Sequence, residues 1–515
     1  MPDEPRSTER ATAEAAVPPT PGPVTRRAAK NAAAVAAAQV AGKVATLAFT
    51  IAAARTLGRA EFGAFSYAIS LALLVATLPS WGFDALLVQR GSREPGRIPA
   101  MLSETLVWRT AIAVPVFAAA GIAGFAIRPD TDSAVALLLV LLATAIDVYA
   151  DAGHAAAAAV QNQVGTSLSL VVQRFATAAL AIGALAAGFG LVGLTAAYLI
   201  GTALGGAGVA LSVRRLGIRL DFSGMSLARL GKVGKLSIAI GIDAVISLAL
   251  FRIDQVLLGA LKGDEAVGVY AAAYRLLETV LFLSWAVSKA VFPVMSATTE
   301  SWRIRRGVEQ GFAAVAIVYI PFGVGLWIEA EPVLRLLYGD AFAAAGAPAA
   351  RWLAAAPLAF ALSYLGSYAL LAQERRWAVV WTSVGALVAN VGLNLALIPA
   401  HASTGAAAAT TASYVVESVL VMAILIPSLG RPDLLRLLAP SVVAAALMAG
   451  VLLPVRAGLA IEVPLGVAVY GAVWLLLARR FTPEHLALIA SMRRGGRGAA
   501  SEAPPPADGG GGGRG

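Results

Sequence analysis

The chain has 515 residues, of which 58% are hydrophobic and only 14% charged, and its mean hydropathy is +0.76. This composition excludes the three or so soluble domains that length alone would suggest, because apolar runs of about 20 residues, enough to cross a bilayer, recur almost throughout. The net charge of +10 would suit a nucleic-acid binder, but its distribution along the chain fits membrane topology instead, and the absence of cysteine excludes disulfide staples.

Residues 1 to 23 are polar and rich in Pro, Ala and Glu, with no short apolar stretch ending in a small-residue cleavage site. They read as a disordered tail, assigned to residues 1–30, and not as a cleaved leader. Fourteen spans follow, at 33–54, 64–88, 106–127, 134–155, 167–188, 191–213, 236–261, 266–293, 309–330, 352–371, 377–398, 403–427, 437–454 and 459–478. Prolines within them, such as Pro79, Pro115, Pro321 and Pro357, read as kinks, which a helical bundle in a membrane tolerates. The segment after 480 ends in a glycine run and reads as a second disordered tail, 481–515.

With the N-terminus cytoplasmic, the inside segments carry 27 of the 40 Lys and Arg residues, the outside loops 7, and the spans the remaining 6. That asymmetry places both termini in the cytoplasm. The most basic connection, 214–235, carries Arg214, Arg215, Arg219, Arg229, Lys232 and Lys235, and falls where a linker between two halves belongs. Its chemistry suits contact with anionic lipid.

An internal repeat supports that division. LGRAEFGAFSYAISL (57–71) matches KGDEAVGVYAAAYRL (262–276), pairing Gly58 with Gly263, Gly63 with Gly268 and Phe65 with Tyr270 at an offset of 205 residues. Six spans separate equivalent points, so the repeats run the same way. The expected fold is an all-α polytopic membrane protein of two parallel six-helix lobes, 31–213 and 236–430, with an extra helix pair at 431–480. The longest outside connection, 331–351, reads as a loop too short for a catalytic module. Neither a phosphate-cradling glycine loop nor a zinc motif is present, so no enzyme, cofactor or metal site is read.

The candidate chemistry lies in charges within the spans. An ionised side chain near the bilayer centre costs about 2.5–3.5 kcal/mol, so such residues face a protein interior or a wet cavity. The hairpin 236–293 carries Arg252 and Asp254 on one span and Arg275 and Glu278 on the next, three of them at similar depth, which makes an Asp254–Arg275 pair geometrically reasonable. Two readings fit: ion pairs that hold two helices in register, and a site that faces substrate. Arg252 and Arg275, with Lys43, would suit an anionic phosphate group, because guanidinium matches phosphate geometry at any physiological pH. Arg109, Arg174 and Lys289 read as residues near the cytoplasmic ends that snorkel. Asp147, Asp151 and His154 form one stripe on the fourth span, and with Asp84, Asp254, Glu278 and Glu417 they are candidates for ion coupling or charge pairing. Asn390 and Asn394, four residues apart, suit interhelical hydrogen bonding.

FRIDQVLLG (251–259) followed by GDEAVGVYAAAYRLLE (263–278) resembles the signature of the oligosaccharide flippases, in the polysaccharide-biosynthesis branch of the multidrug, oligosaccharidyl-lipid and polysaccharide exporter superfamily. RTLGRAEFGAFSYA (55–68), EPVLRLLYGDAFAAA (331–345) and VANVGLNLALIPAHASTGAAAAT (388–410) agree in order, although His401-Ala402-Ser403 stands where that family has an aromatic residue and a glycine. The resemblance implies a MATE-like fold around a central cationic cavity. The implied activity is movement of a polyprenyl-pyrophosphate-linked oligosaccharide across the cytoplasmic membrane by alternating access. The acidic neighbours of the arginines are read as setting their position or coupling to H+ or Na+, and glycosyltransferases and a polymerase are the expected partners. An exporter of small molecules or of the peptidoglycan precursor with the same fold, and an integral membrane glycan ligase or polymerase, are the alternative readings.

Overall fold

The computed structural model describes residues 23–127, 130–455 and 457–481, without the side chains of 23–41, 127, 239, 240, 243 and 481. Residues 1–22 and 482–515, where most of both expected tails fall, lie outside the described residues. All described elements are helical, as hydrocarbon demands of a chain that must satisfy its own backbone polar groups. In order they are α1 (Pro23–Ser80), α2 (Phe83–Gly91), α3 (Ile98–Ile127), α4 (Thr131–Ala159), α5 (Val164–Ala186), α6 (Gly190–Arg215), α7 (Leu227–Lys262), α8 (Asp264–Ser296), α9 (Ser301–Tyr338), α10 (Asp340–Leu353), α11 (Ala356–Ala372), α12 (Arg376–Leu429), α13 (Leu434–Leu452) and α14 (Leu459–Phe481).

Among the described residues, twelve stretches are long and apolar enough to cross a membrane. Two of them, Gly42–Ser80 and Arg376–Leu429, break in the middle, at Gly58 (φ 74, ψ −175) and at Ala402 (φ 45, ψ −124). Each therefore passes twice, which gives the fourteen passes the sequence implies. α1 to α6 pack on one another, α7 to α12 do likewise, and α13 and α14 pair, with α13 packed along α9. The two bundles meet where α1 lies against α7 and α8.

Three boundaries differ from the sequence reading. The second span, expected over 64–88, stops at Ser80, because Trp81 (φ 27) and Gly82 (φ 72) both take positive φ and no helix continues through two such residues. α2 is therefore a separate short helix. The expected loop 331–351 is mostly helical: α9 runs on past a kink at Glu329, three residues before Pro332, and α10 starts directly after the Gly339 turn. The charges in this segment pair locally, Arg335 with Glu331 at 2.7 Å and with Asp340 at 2.9 Å. The basic connection is shorter than 214–235, since α7 already starts at Leu227, where the Ser226 side chain caps Arg229 N.

The bundles cross at a pair of glycines. A Cβ on Gly63 would overlap the Asp264 carbonyl, and a Cβ on Gly268 would overlap the Arg59 carbonyl. Adding 205 converts Arg59 to Asp264 and Gly63 to Gly268, so the contact is reciprocal, as an isologous two-fold interface requires. Around it Arg59 pairs with Glu265 at 2.7 Å, Arg55 donates to the carbonyls of Leu336 and Leu337, and Phe62 meets Phe342 edge-on at 5.8 Å. At the other end the Trp108 indole donates to Leu230 O at 3.0 Å, Arg229 pairs with Glu104 at 3.0 Å, and the Trp81 ring lies against Gly241.

Because only hydrogen fits at Gly63, Gly63→Leu is expected to separate the bundles at this end. An Arg59→Cys/Glu265→Cys pair in this cysteine-free chain should cross-link readily in the parent and poorly with Gly63→Leu added, as read by gel mobility after oxidation. Ala402 occupies a conformation that costs an L-residue about 1 kcal/mol or more, so Ala402→Gly is expected to raise the thermal midpoint by a few degrees. An unchanged or lowered midpoint would show the turn to be unstrained.

Candidate functional site

α7 brings Arg252, and α8 brings Arg275 and Glu278, to one point. Glu278 accepts from Arg252 through one oxygen and from Arg275 through the other, each at 2.8 Å. The pair anticipated between Asp254 and Arg275 does not form: Arg275 turns to Glu278, one helical turn along its own helix, and the ion pair that crosses the hairpin is Arg252–Glu278. Two guanidiniums on one carboxylate leave a net positive charge and several N–H donors uncommitted, among them the buried Nε of Arg252, which has no partner among the described residues. The side chains of the three retain 15%, 27% and 22% of their exposure, so none is fully sealed.

The other bundle faces this triad. Lys43 on α1 sits 5.2 Å from the ring of Phe282, one turn beyond Glu278 on α8. Arg174 on α5 lays its stem against Gly42, and Tyr198 on α6 lies within electrostatic range of Asp147 and Arg174 on one side and of Arg252 and Arg275 on the other. Lys43 and Arg174, the latter read as a snorkelling residue, thus stand on the N-terminal bundle and the two triad arginines on the other, with Tyr198 within electrostatic range of Arg174, Arg252 and Arg275.

The triad belongs to one repeat only. Subtracting 205 from 252, 275 and 278 gives Leu47, Ser70 and Leu73 on the equivalent hairpin of α1, which folds without any of these charges. Asp254 likewise corresponds to Phe49, and it is fully buried, within electrostatic range of Arg252 but bonded to other partners. Its carboxylate accepts from Gln255 N at 2.7 Å, from the Thr410 hydroxyl at 3.0 Å and from the Tyr270 hydroxyl. Gln255 in turn accepts from Ser70 of the other bundle at 2.7 Å. Glu417 lies elsewhere, buried between the halves of α12, where Ser383 donates to it at 3.3 Å. On the same helix Asn390 donates to Ser413 at 3.0 Å, the interhelical bond expected of it.

The N-terminal bundle holds a second polar group. Arg109, read as a snorkelling residue, is instead fully buried: it pairs with Asp84 at 2.5 Å and donates to the Val148 carbonyl. The pull is geometric, because α2 turns back after Gly82 and brings Asp84 beside α3. Asp147 accepts from Gln173 at 2.8 Å, and Asp151 is exposed within electrostatic range of Asp84, Arg109, Asp147 and Arg174. The structure thus brings Asp84 of α2 within electrostatic range of Asp151 and His154 on the α4 stripe that also carries Asp147. It keeps Asp254 and Glu417 apart from them. Tyr270, Thr410 and Tyr198 were not singled out from the sequence. Tyr270 was legible as the repeat partner of Phe65, a ring that gains a hydroxyl where the equivalent position in the second repeat needs one.

Two six-helix bundles around a charged interior, with a trailing helix pair, define the MATE-like transporter fold. The lipid II flippase MurJ in an inward closed conformation superposes with a TM-score of 0.74 at 13% identity, over 86% of this chain and 98% of that one. An inward-facing MATE-family multidrug transporter superposes at 0.64 and 12% identity, over 75% and 94%. Residues 28–299, more than half of the chain, match the family described as polysaccharide biosynthesis protein, and the chain belongs to that family. It is 27% identical over 253 residues to the probable flippase AglR of Haloferax volcanii, 47% of this chain and 53% of that protein. It is 28% identical over 117 residues to the teichuronic acid biosynthesis protein TuaB of Bacillus subtilis, 22% of each. The matches thus span about half or less of these relatives' lengths.

Breaking a buried ion pair from one side costs about 3–5 kcal/mol, whereas removing both partners costs far less. Arg109→Met alone is therefore expected to lower the thermal midpoint sharply, and Arg109→Met/Asp84→Asn to recover most of the loss. A double variant as unstable as the single one would show that Arg109 acts by packing alone.

Proposed function

We propose that this chain is a flippase that carries a polyprenyl-pyrophosphate-linked oligosaccharide across the cytoplasmic membrane for cell-surface polysaccharide synthesis. The observation that carries the reading is the one-sided triad. The α1 hairpin folds with Leu47, Ser70 and Leu73 at the equivalent positions, so the architecture does not need Arg252, Arg275 and Glu278, and their cost in the membrane calls for a ligand. Two guanidiniums held apart by a shared carboxylate offer forked donors to a pyrophosphate, and Lys43 adds a third positive group from the opposite bundle. Family membership and the likeness to the probable flippase AglR point the same way.

In this reading the cargo's phosphates displace part of the Glu278 contact, and the bundles rock about the Gly63–Gly268 crossing to alternate access. The uneven distribution of Lys and Arg puts both termini and the 216–226 connection in the cytoplasm. Asp254, buried with Tyr270 and Thr410 and linked through Gln255 to Ser70 of the other bundle, is placed to couple a bound proton or Na+ to that rocking. Cationic drugs suit the site poorly, because its net charge repels them.

In proteoliposomes loaded with a lipid-linked pyrophosphate oligosaccharide, Arg252→Gln and Arg275→Gln are each expected to slow flipping at least about tenfold, the scale of one lost charge-assisted hydrogen bond. Asp254→Asn is expected to keep binding but to lose the response to an imposed H+ or Na+ gradient. Wild-type rates in both arginine variants would remove the phosphate role.

A further inference from the structure

A second feature lies on the outer side of the N-terminal bundle, away from the space between the lobes. α3 and α6 each pack along α4 and leave a furrow between them of about 800 Å³. Its floor is one stripe of α4, namely Ile146, Tyr149, Ala150 and Gly153, and Ala210 and Val213 of α6 form one wall. Gly206 lets the helices approach this closely, since a Cβ there would stand 2.8 Å from Ile146. From 146 to 153 the furrow runs about 10 Å along the helix axis, much of one leaflet's hydrocarbon depth.

The furrow has one polar end. The connection after α6 arches over it, tied to α3 where Asp221 N donates to the buried Ser103 hydroxyl at 2.9 Å. That arch puts Arg214 and Arg219 at the rim, both exposed and neither paired with a carboxylate among the described residues, while Ile218 is buried beneath them. Partway along the same seam Tyr149 and Thr110 share a hydrogen bond at 2.9 Å, which ties α4 to α3 there.

We infer that this furrow binds an anionic glycerophospholipid of the leaflet on the basic side of the protein, one acyl chain against α4 and the phosphate between Arg214 and Arg219. Charge decides the occupant: two uncompensated cations at the depth of the headgroups attract a net negative lipid, whereas a zwitterionic lipid brings its own ammonium against them. Length argues against a polyprenyl chain, which the furrow would hold only in small part. The bound lipid pins the arch, and the arch leads through the Ser226 cap and the Arg229–Glu104 pair into α7 of the other bundle. Occupancy therefore bears on how freely the bundles part at this end.

The test is native mass spectrometry of the full-length protein in detergent, titrated with dioleoylphosphatidylglycerol, dioleoylphosphatidylcholine or undecaprenyl phosphate. The expected result is one tightly retained phosphatidylglycerol per chain, weakened about tenfold or more by Arg214→Gln/Arg219→Gln, in line with two lost surface cations. Ala210→Trp, which fills the furrow from an exposed position, should weaken it as well, and Arg479→Gln/Arg480→Gln on α14 should leave it unchanged. Equal retention of phosphatidylglycerol and phosphatidylcholine would overturn the proposal, as would full retention in both furrow variants, equal loss in the α14 variant, or preference for undecaprenyl phosphate.

Discussion

One carboxylate shared by two guanidiniums is the constraint on which the interior of this protein turns. Inside hydrocarbon, neither Arg252 nor Arg275 is tolerable alone, and Glu278 makes both tolerable at once. The arrangement is undersaturated, with more donors than one carboxylate can take. A buried polar cluster that served only to fasten α7 to α8 would satisfy itself fully. The triad stays partly exposed instead.

The two-fold relation between the halves sharpens that contrast. At Gly63 and Gly268 the halves are equivalent residue for residue, and each backbone comes as close to the other as the absence of a Cβ allows. Deeper in the membrane the equivalence ends: Leu47, Phe49, Ser70 and Leu73 stand opposite Arg252, Asp254, Arg275 and Glu278. Symmetry is kept where the two backbones cross and lost at the charged triad. The N-terminal bundle places its own charges nearer the basic end, on α2, α3 and α4, with Arg109 wholly enclosed.

Much of this was legible in the sequence because it depends on periodicity. Apolar runs marked the passes, the 205-residue offset marked the glycine crossing, and charge in an apolar run marked Arg252, Arg275 and Glu278. What escaped depends on backbone angles and on partners distant in sequence. Trp81 and Gly82 end a helix that hydropathy extends to 88, and the same turn delivers Asp84 to Arg109, which sequence depth alone had put at the surface. Pro332 and the charges around it look like a loop, yet α9 absorbs the proline as a kink at Glu329. Choosing Glu278 over Asp254 as the partner of Arg275 needed side-chain reach, which similar depth along the membrane normal does not supply.

The claim that the triad grips phosphate is tested most directly by substrate protection. Thr279, exposed and next to Glu278, is a suitable site for a single cysteine in a chain that has none. A lipid-linked pyrophosphate oligosaccharide should slow maleimide labelling of Thr279→Cys severalfold, and adding Arg252→Gln/Arg275→Gln should abolish that protection. Labelling that proceeds at the same rate with and without the pyrophosphate lipid would contradict the account.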